Sequence, residues 1–142
     1  MSAYCSQSDI EGEIQDSDLI SLTDDSQTGN LNSTVLNQAI ANASGEIDRY
    51  VGNIYQVPFQ PAPPSVQSMA IVITCYRLYR RREVPDERNK YYEDYKGVRD
   101  YLKRVQNRED VLDLSAQQDF PQVQSDGRPT IYGIGNQLSN SM

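Results

Sequence analysis

"LNQAIANASGEIDRYVGNI", residues 36–54, carries the most regular apolar spacing in the chain. Its apolar side chains recur at alternating intervals of four and three positions: Leu36, Ile40, Ala43, Ile47, Tyr50 and Ile54. That spacing places them on one face of an α-helix. Asn32 or Ser33 just before the stretch would cap the helix start. The stretch therefore predicts an amphipathic helix of about twenty residues with one face in a helical core.

Helix signals surround this stretch on both sides. Ser6, with an acid three positions later, predicts a short helix through Ile14, and a second short helix is expected from Ser17. Two prolines open a helix over 63–82 that is apolar nearly all round at its centre, which predicts the central, buried helix. Pro85 is expected to start the last long helix.

These signals predict an all-α fold. We expect a small helical bundle with two short N-terminal helices, three longer helices and an extended C-terminal tail. The domain would span residues 1–110 and the tail residues 111–142, with one short strand-like segment, "RPTIYGIG", at 128–135. All apolar core positions are expected upstream of this segment, so the helical body, residues 4–108, should fold without it.

Composition excludes several functions of this 142-residue chain. It has no histidine, which removes histidine-based catalysis and histidine-rich metal sites, and its two cysteines stand too far apart for a zinc motif. No glycine-rich phosphate loop follows a strand. We therefore expect no enzyme activity and no cofactor. Without a signal peptide or a long apolar run, the sequence predicts a soluble intracellular protein that does not enter a membrane.

Charge is unevenly distributed along the chain. Residues 1–60 carry nine acids against Arg49 alone, whereas residues 70–110 carry eleven basic residues against eight acids. Opposite charges of this kind favour head-to-tail stacking of copies, or pairing within one domain. The sequence leaves both possibilities open.

"DDSQTGNLNSTV", residues 24–35, is similar to a calcium-binding loop. Asp24, Ser26 and Thr28 occupy the first, third and fifth positions, and Gly29 occupies the sixth. The twelfth position, which needs a bidentate acid, is Val35. The sequence therefore predicts a turn before a capped helix and no calcium site.

Arginines cluster near the end of the predicted central helix, interleaved with tyrosines: Arg77, Arg80, Arg81, Arg82 and Arg88. One interpretation is a phosphate-binding surface with aromatic stacking. Cations also favour a helix C-terminus without any ligand, and the chain as a whole is acidic. The sequence favours ion pairs, either between subunits or within the chain.

Five segments in order resemble one family, the small head-to-tail connector (neck adaptor) proteins of Mu-like tailed phages. Glu46-Ile47-Asp48-x-Tyr50 and Tyr76-Arg77-Leu78-Tyr79 carry most of the resemblance. The segments are "AYCSQSDIEGEI", "LISLTDD", "ASGEIDRYVGNIYQVPF", "PPSVQSMAIVITCYRLYRRR" and "RNKYYEDYKGVRDYLKRV".

The resemblance implies a structural virion protein without enzymatic activity. Such a protein forms a homo-oligomer ring, twelve-fold to match a portal, in the virion neck between capsid and tail, and it would lie in the host cytoplasm during assembly. Its partners would be the portal protein and a downstream tail-completion or tail-terminator protein, and double-stranded DNA would pass through the ring without specific binding.

Three groups of residues are candidates for these contacts. The five arginines named above would form intersubunit ion pairs. A loop would face the tail, with Asp24, Asp25, Gly29 and Asn30. The strand-like segment would contact the portal or a neighbouring subunit, with Arg128, Pro129, Thr130, Ile131, Tyr132 and Ile134. The alternative functions are a small helical DNA-binding regulatory protein that uses the arginine surface, and a calcium-responsive binding protein.

Overall fold

The computed structural model of the chain describes residues 3–114, and within them it contains five α-helices and no strand. The all-α fold class is thereby confirmed. The helices are α1 (Gln7–Glu13), α2 (Asp16–Thr23), α3 (Ser33–Val51), α4 (Pro64–Arg81) and α5 (Tyr92–Gln106), with a short 3-10 turn at Asp86–Arg88. None of these helices combines the length and apolar content that a membrane span requires.

Helix α4 is the centre of the bundle, as its apolar sequence predicts. It packs against all four other helices, most extensively against α3. Its inward side chains Val66, Ala70, Ile73 and Leu78 are completely buried. Burial of this apolar surface is the main force that holds the bundle together.

Helix α3 presents the predicted apolar face to α4. Leu36, Ile40, Ala43 and Ile47 are buried, and the Asn32 side chain caps the helix by accepting the Val35 N–H at 3.2 Å. The helix ends at Val51, three residues before the end of the apolar spacing.

The short helices begin close to their predicted positions. Ser6 and Asp9 form a reciprocal capping box, in which each side chain accepts the other residue's backbone N–H. Helix α2 starts at Asp16, one residue before the predicted Ser17. Ile10, Ile14 and Leu19 then enter the core.

The prediction that Pro85 starts the last long helix is wrong. Pro85 precedes the 3-10 turn, and α5 begins only at Tyr92. Asn89 causes the break, because its buried side-chain amide donates to the Tyr76 carbonyl at 3.2 Å and accepts the Tyr91 N–H at 3.0 Å. These bonds hold Asn89 in an extended conformation that no α-helix can include.

The chain after α5 folds back onto the helices. Leu112 is 5% exposed, and its N–H donates to the Tyr55 hydroxyl at 3.1 Å. Leu112 therefore belongs to the core, although it lies beyond the predicted helical body at 4–108. The domain boundary at residue 110 stays a prediction, and the strand-like segment at 128–135 lies outside the described residues.

Candidate subunit interface

A groove of about 530 Å³ lies between α3 and α4, and we call it the arginine groove. Val35, Ala39 and Asn42 on α3 form one wall, while Arg77, Arg80 and Arg81 on α4 line the other. The helical spacing of the arginines puts all three on the same side of α4. The groove thus combines apolar and amide groups with guanidinium groups.

Arg77 forms an ion pair with a buried acid of its own chain. Its Nη2 lies 2.7 Å from Glu46 Oε1, and Glu46 is only 4% exposed. The other carboxylate oxygen accepts the Tyr95 hydroxyl at 2.8 Å, and the Tyr95 ring stacks on Tyr76 with 4.1 Å between ring centroids. Burial and the bond to Glu46 raise the pKa of Tyr95. This network joins α3, α4 and α5.

Arg81 and Arg82 join α4 to α2. Both guanidinium groups contact Asp25, at 2.7 Å and 3.0 Å, and Arg81 holds the pKa of that carboxyl below its usual value. They also donate to the carbonyls of Leu22 and Ser21 in the last turn of α2. Those carbonyls have no partner inside their own helix, so the arginines act as its C-terminal cap.

Arg80 and Arg88 are different, because neither forms an ion pair within the part of the chain that the structure describes. Arg80 donates to the Tyr76 hydroxyl at 3.1 Å, a bond that raises the pKa of Arg80. The structure therefore gives Arg77, Arg81 and Arg82 partners within their own chain. The intersubunit role of the five arginines stays a prediction, with Arg80 and Arg88 still available for it.

The first two helices form the opposite kind of surface, which we call the acidic strip. Its five carboxylates are all exposed, and no ion pair neutralises them within residues 3–114: Asp9, Glu11, Glu13, Asp16 and Asp18. Half-buried Ile20 and Leu31 lie beside the strip and line a shallow concavity of about 170 Å³ with Glu11 and Asp16. The strip is thus an acidic surface with an apolar patch.

The loop after α2 is the predicted turn. Asp24 accepts the backbone N–H of Thr28 at 2.8 Å, the Thr28 hydroxyl at 3.1 Å and the Gly29 N–H at 2.6 Å. These bonds, the Thr28 N–H first, lower the pKa of Asp24. Gly29 has a φ of 82°, which favours glycine. Both Asp24 oxygens are thus used to close the loop itself.

Two further observations concern this loop. No group of three His, Cys, Asp or Glu side chains in residues 3–114 could hold a metal ion. Asn30 is exposed, and its N–H donates to the Thr28 hydroxyl at 3.3 Å. Whether Asp24, Asp25, Gly29 and Asn30 face the tail stays a prediction.

The two cysteines lie in the core. Burial raises the pKa of the Cys5 thiol to about 11 and that of Cys75 to about 12. Both thiols are therefore protonated and unreactive near neutral pH.

Sequence reasoning missed two features of these surfaces. Glu46 shares the inward face with Ala43, Ile47 and Tyr50, and an acid at such a position is a signal for a buried partner. The second feature is an apolar groove between α4 and α5, lined by Met69, Val72, Val98 and Tyr101 among others. No local sequence pattern predicts such a groove, because its two walls come from segments that are far apart in the sequence.

One protein family matches the chain over most of its length. The family is described as "Bacteriophage Mu, Gp36", and its model matches residues 4–130. No curated protein matches the chain. The family match supports a Mu-like phage protein with a structural or assembly role. Since the match covers far more than half of the sequence, the chain belongs to the bacteriophage Mu Gp36 family.

Proposed function

We propose that this protein is a head-to-tail connector, or neck adaptor, of a Mu-like phage. Copies of the chain would form a ring below the portal, joining the capsid to the tail while double-stranded DNA passes through. The role is structural and involves neither catalysis nor a cofactor. Family membership supports the phage assembly role, and the segregation of charge on the helical body is the observation that supports a ring.

A ring requires a heterologous interface, in which one surface of a subunit contacts a different surface of the next. The arginine groove and the acidic strip meet that requirement, because they share no residue and carry opposite charge. Arg80 in the groove forms no ion pair within residues 3–114, and the acids of the strip form none there either. The groove therefore offers a guanidinium group, and the strip offers carboxylates, for an ion pair between neighbouring subunits.

The remaining partners follow from a position in the neck. The ring would bind the portal protein on one side and a tail-completion or tail-terminator protein on the other. We assign the Asp24–Asn30 loop to the tail side, and residues 128–135 to the portal or a neighbouring subunit. A ring matched to a portal would be twelve-fold. An acidic surface along the channel would keep the DNA from adhering during passage.

Charge reversal tests the ring contact. Arg80→Glu damages only the groove, and Asp16→Lys with Asp18→Lys damages only the strip; both sets of side chains are exposed. Light scattering at low salt, with and without portal assemblies, should show a ring for the wild type and smaller species for each variant. Mixing the two variants should restore larger assemblies, because the intact strip of one meets the intact groove of the other and the two reversed surfaces again carry opposite charge. Combining all three substitutions in one chain should restore them for the same reason.

Lys96→Glu is the matched control, because Lys96 is exposed on α5 and belongs to neither surface. It should assemble like the wild type. Rings that form equally well in every variant would leave the connector role intact but refute this contact. A wild type that stays monomeric and does not bind portal assemblies would refute the connector role itself.

The same variants test the alternative function, a DNA-binding regulator. The arginines of the groove are the feature that favours this alternative. Such a regulator would bind a short duplex with submicromolar affinity at physiological salt, and Arg80→Glu would weaken that binding without rescue by the strip substitutions. The net charge of -7 and the intrachain pairing of Arg77, Arg81 and Arg82 oppose this function.

A further inference from the structure

The groove between α4 and α5 has the chemistry of a peptide-binding site. It has a volume of about 590 Å³, and Met69, Val72 and Val98 contribute apolar side chains to it. Gly97 leaves the α5 wall open, since a Cβ added there would meet nothing within 4 Å. An extended segment could therefore lie against α5 and bury apolar side chains between the helices.

Charge at the groove narrows the choice of ligand. Glu93 and Asp94 line it at the start of α5, and both are exposed. Neither forms an ion pair within residues 3–114. A segment that combines apolar side chains with a positive charge would match this lining.

The chain itself leads to this groove. Ser65 donates to the Asp113 carbonyl, and Tyr101 donates to the Val111 carbonyl. Both Ser65 and Tyr101 line the groove. The next residue after Asp113, Leu114, is the last that the structure describes, so the chain continues from beside the groove.

Apolar exposure is concentrated at the same place. Val111 is 70% exposed and Leu114 is 45% exposed. No other large hydrophobic side chain within residues 3–114 is as exposed as these two. Additional apolar chain packed on this side of the molecule would cover them and the groove together.

The sequence beyond residue 114 contains one segment that fits. Arg128 is the only basic residue in 115–142, and Ile131, Tyr132 and Ile134 follow it closely. The fourteen residues from Leu114 to Arg128 can span up to about 45 Å. That reach exceeds the length of α5, which is about 22 Å for fifteen residues.

We propose that residues 128–135 dock in the α4/α5 groove of their own chain, with Arg128 beside Glu93 and Asp94. The short tether raises the local concentration of the segment to the millimolar range, so a modest contact suffices. This proposal goes beyond the connector function and does not depend on it. If the portal also takes the segment, the groove and the portal compete for it.

Engineered cysteines test the contact directly. Gly97→Cys places a thiol in the groove, and Gly133→Cys places one in the segment without removing its apolar side chains. The native Cys5 and Cys75 are buried and remain protonated. Mild oxidation of dilute protein should give an intramolecular disulfide, seen as a faster monomer band on a non-reducing gel.

Gly45→Cys with Gly133→Cys is the matched control. Gly45 lies on α3, and a Cβ added there also meets nothing within 4 Å. This pair should form little disulfide. Equal yields from the two pairs, or no disulfide from Gly97→Cys, would overturn the proposal, and crosslinked dimers would show that the segment docks on a second copy instead.

A charge test separates specific docking from chance collision. Glu93→Lys with Asp94→Lys should slow formation of the disulfide between the cysteines engineered at positions 97 and 133 about fivefold. Adding Arg128→Glu should restore the rate. Circular dichroism checks that each variant remains folded. An unchanged rate in folded protein would contradict the assignment of Arg128 to this acidic pair.

Discussion

Replacing Glu46 by alanine removes a buried carboxylate that ties three helices together. The carboxylate pairs with Arg77 on α4 and accepts the Tyr95 hydroxyl from α5. The substitution leaves the Tyr95 hydroxyl without its acceptor and Arg77 without its counter-charge. We expect a clear loss of stability with retention of the helical fold.

The magnitude follows from the exposure of each partner. Breaking a fully buried ion pair costs about 3–5 kcal/mol. The Arg77 side chain is 33% exposed, so water can solvate its charge, which reduces that contribution to about 1 kcal/mol. The lost hydrogen bond between Tyr95 and a charged acceptor adds about 1.5 kcal/mol. The expected total is about 2.5 kcal/mol, or a fall in melting temperature of roughly 10–15 °C.

Urea unfolding followed by circular dichroism measures this free energy. Glu46→Gln keeps an acceptor for Tyr95 and should lose only about 1 kcal/mol. Glu11→Ala is a matched control, because Glu11 is exposed and its carboxylate accepts a hydrogen bond from the exposed side of α1, from Gln7. It should stay within about 0.5 kcal/mol of the wild type. A Glu46→Ala variant as stable as Glu11→Ala would refute the assignment of a stabilising role to this network.

Two further predictions concern the turn and the end of the helical body. The pKa of Asp24 and of Asp25 in the folded protein lies below the ordinary 3.8, so their contribution to stability is present above that pH and is lost as the pH falls through the lowered values. Asp24→Asn should therefore reduce the acid-induced loss of stability in pH-dependent melting. Millimolar calcium should not raise the melting temperature of the wild type. A saturable rise with calcium that Asp24→Ala abolishes would contradict the interpretation of this loop as a turn without a calcium site. Leu112→Ala should cost about 2 kcal/mol in urea unfolding, against less than about 0.5 kcal/mol for the exposed Val111→Ala, and equal losses would show that residues 111–114 do not pack on the helices.

Local sequence determined the helical character of this protein. The face that begins with Leu36 and Ile40, the Ser6 capping box and the Asn32 cap each depend on residues within a few positions of one another. Such signals can be recognised without knowledge of the fold, because they depend on the periodicity and the unpaired backbone groups of a single helix. The family resemblance has the same origin, in short segments read in order along the chain.

Tertiary structure decided what those signals could not. Asn89 ends a helix only because the Tyr76 carbonyl lies beside it, and Arg77 becomes an internal partner only because α3 brings Glu46 next to it. Leu112 enters the core only because Tyr55 receives its N–H. Each contact joins residues more than ten positions apart, and helical periodicity carries no information about such distances. The sequence therefore predicted where cations cluster, whereas packing determined that Arg77, Arg81 and Arg82 form ion pairs in the described chain while Arg80 bonds to the Tyr76 hydroxyl.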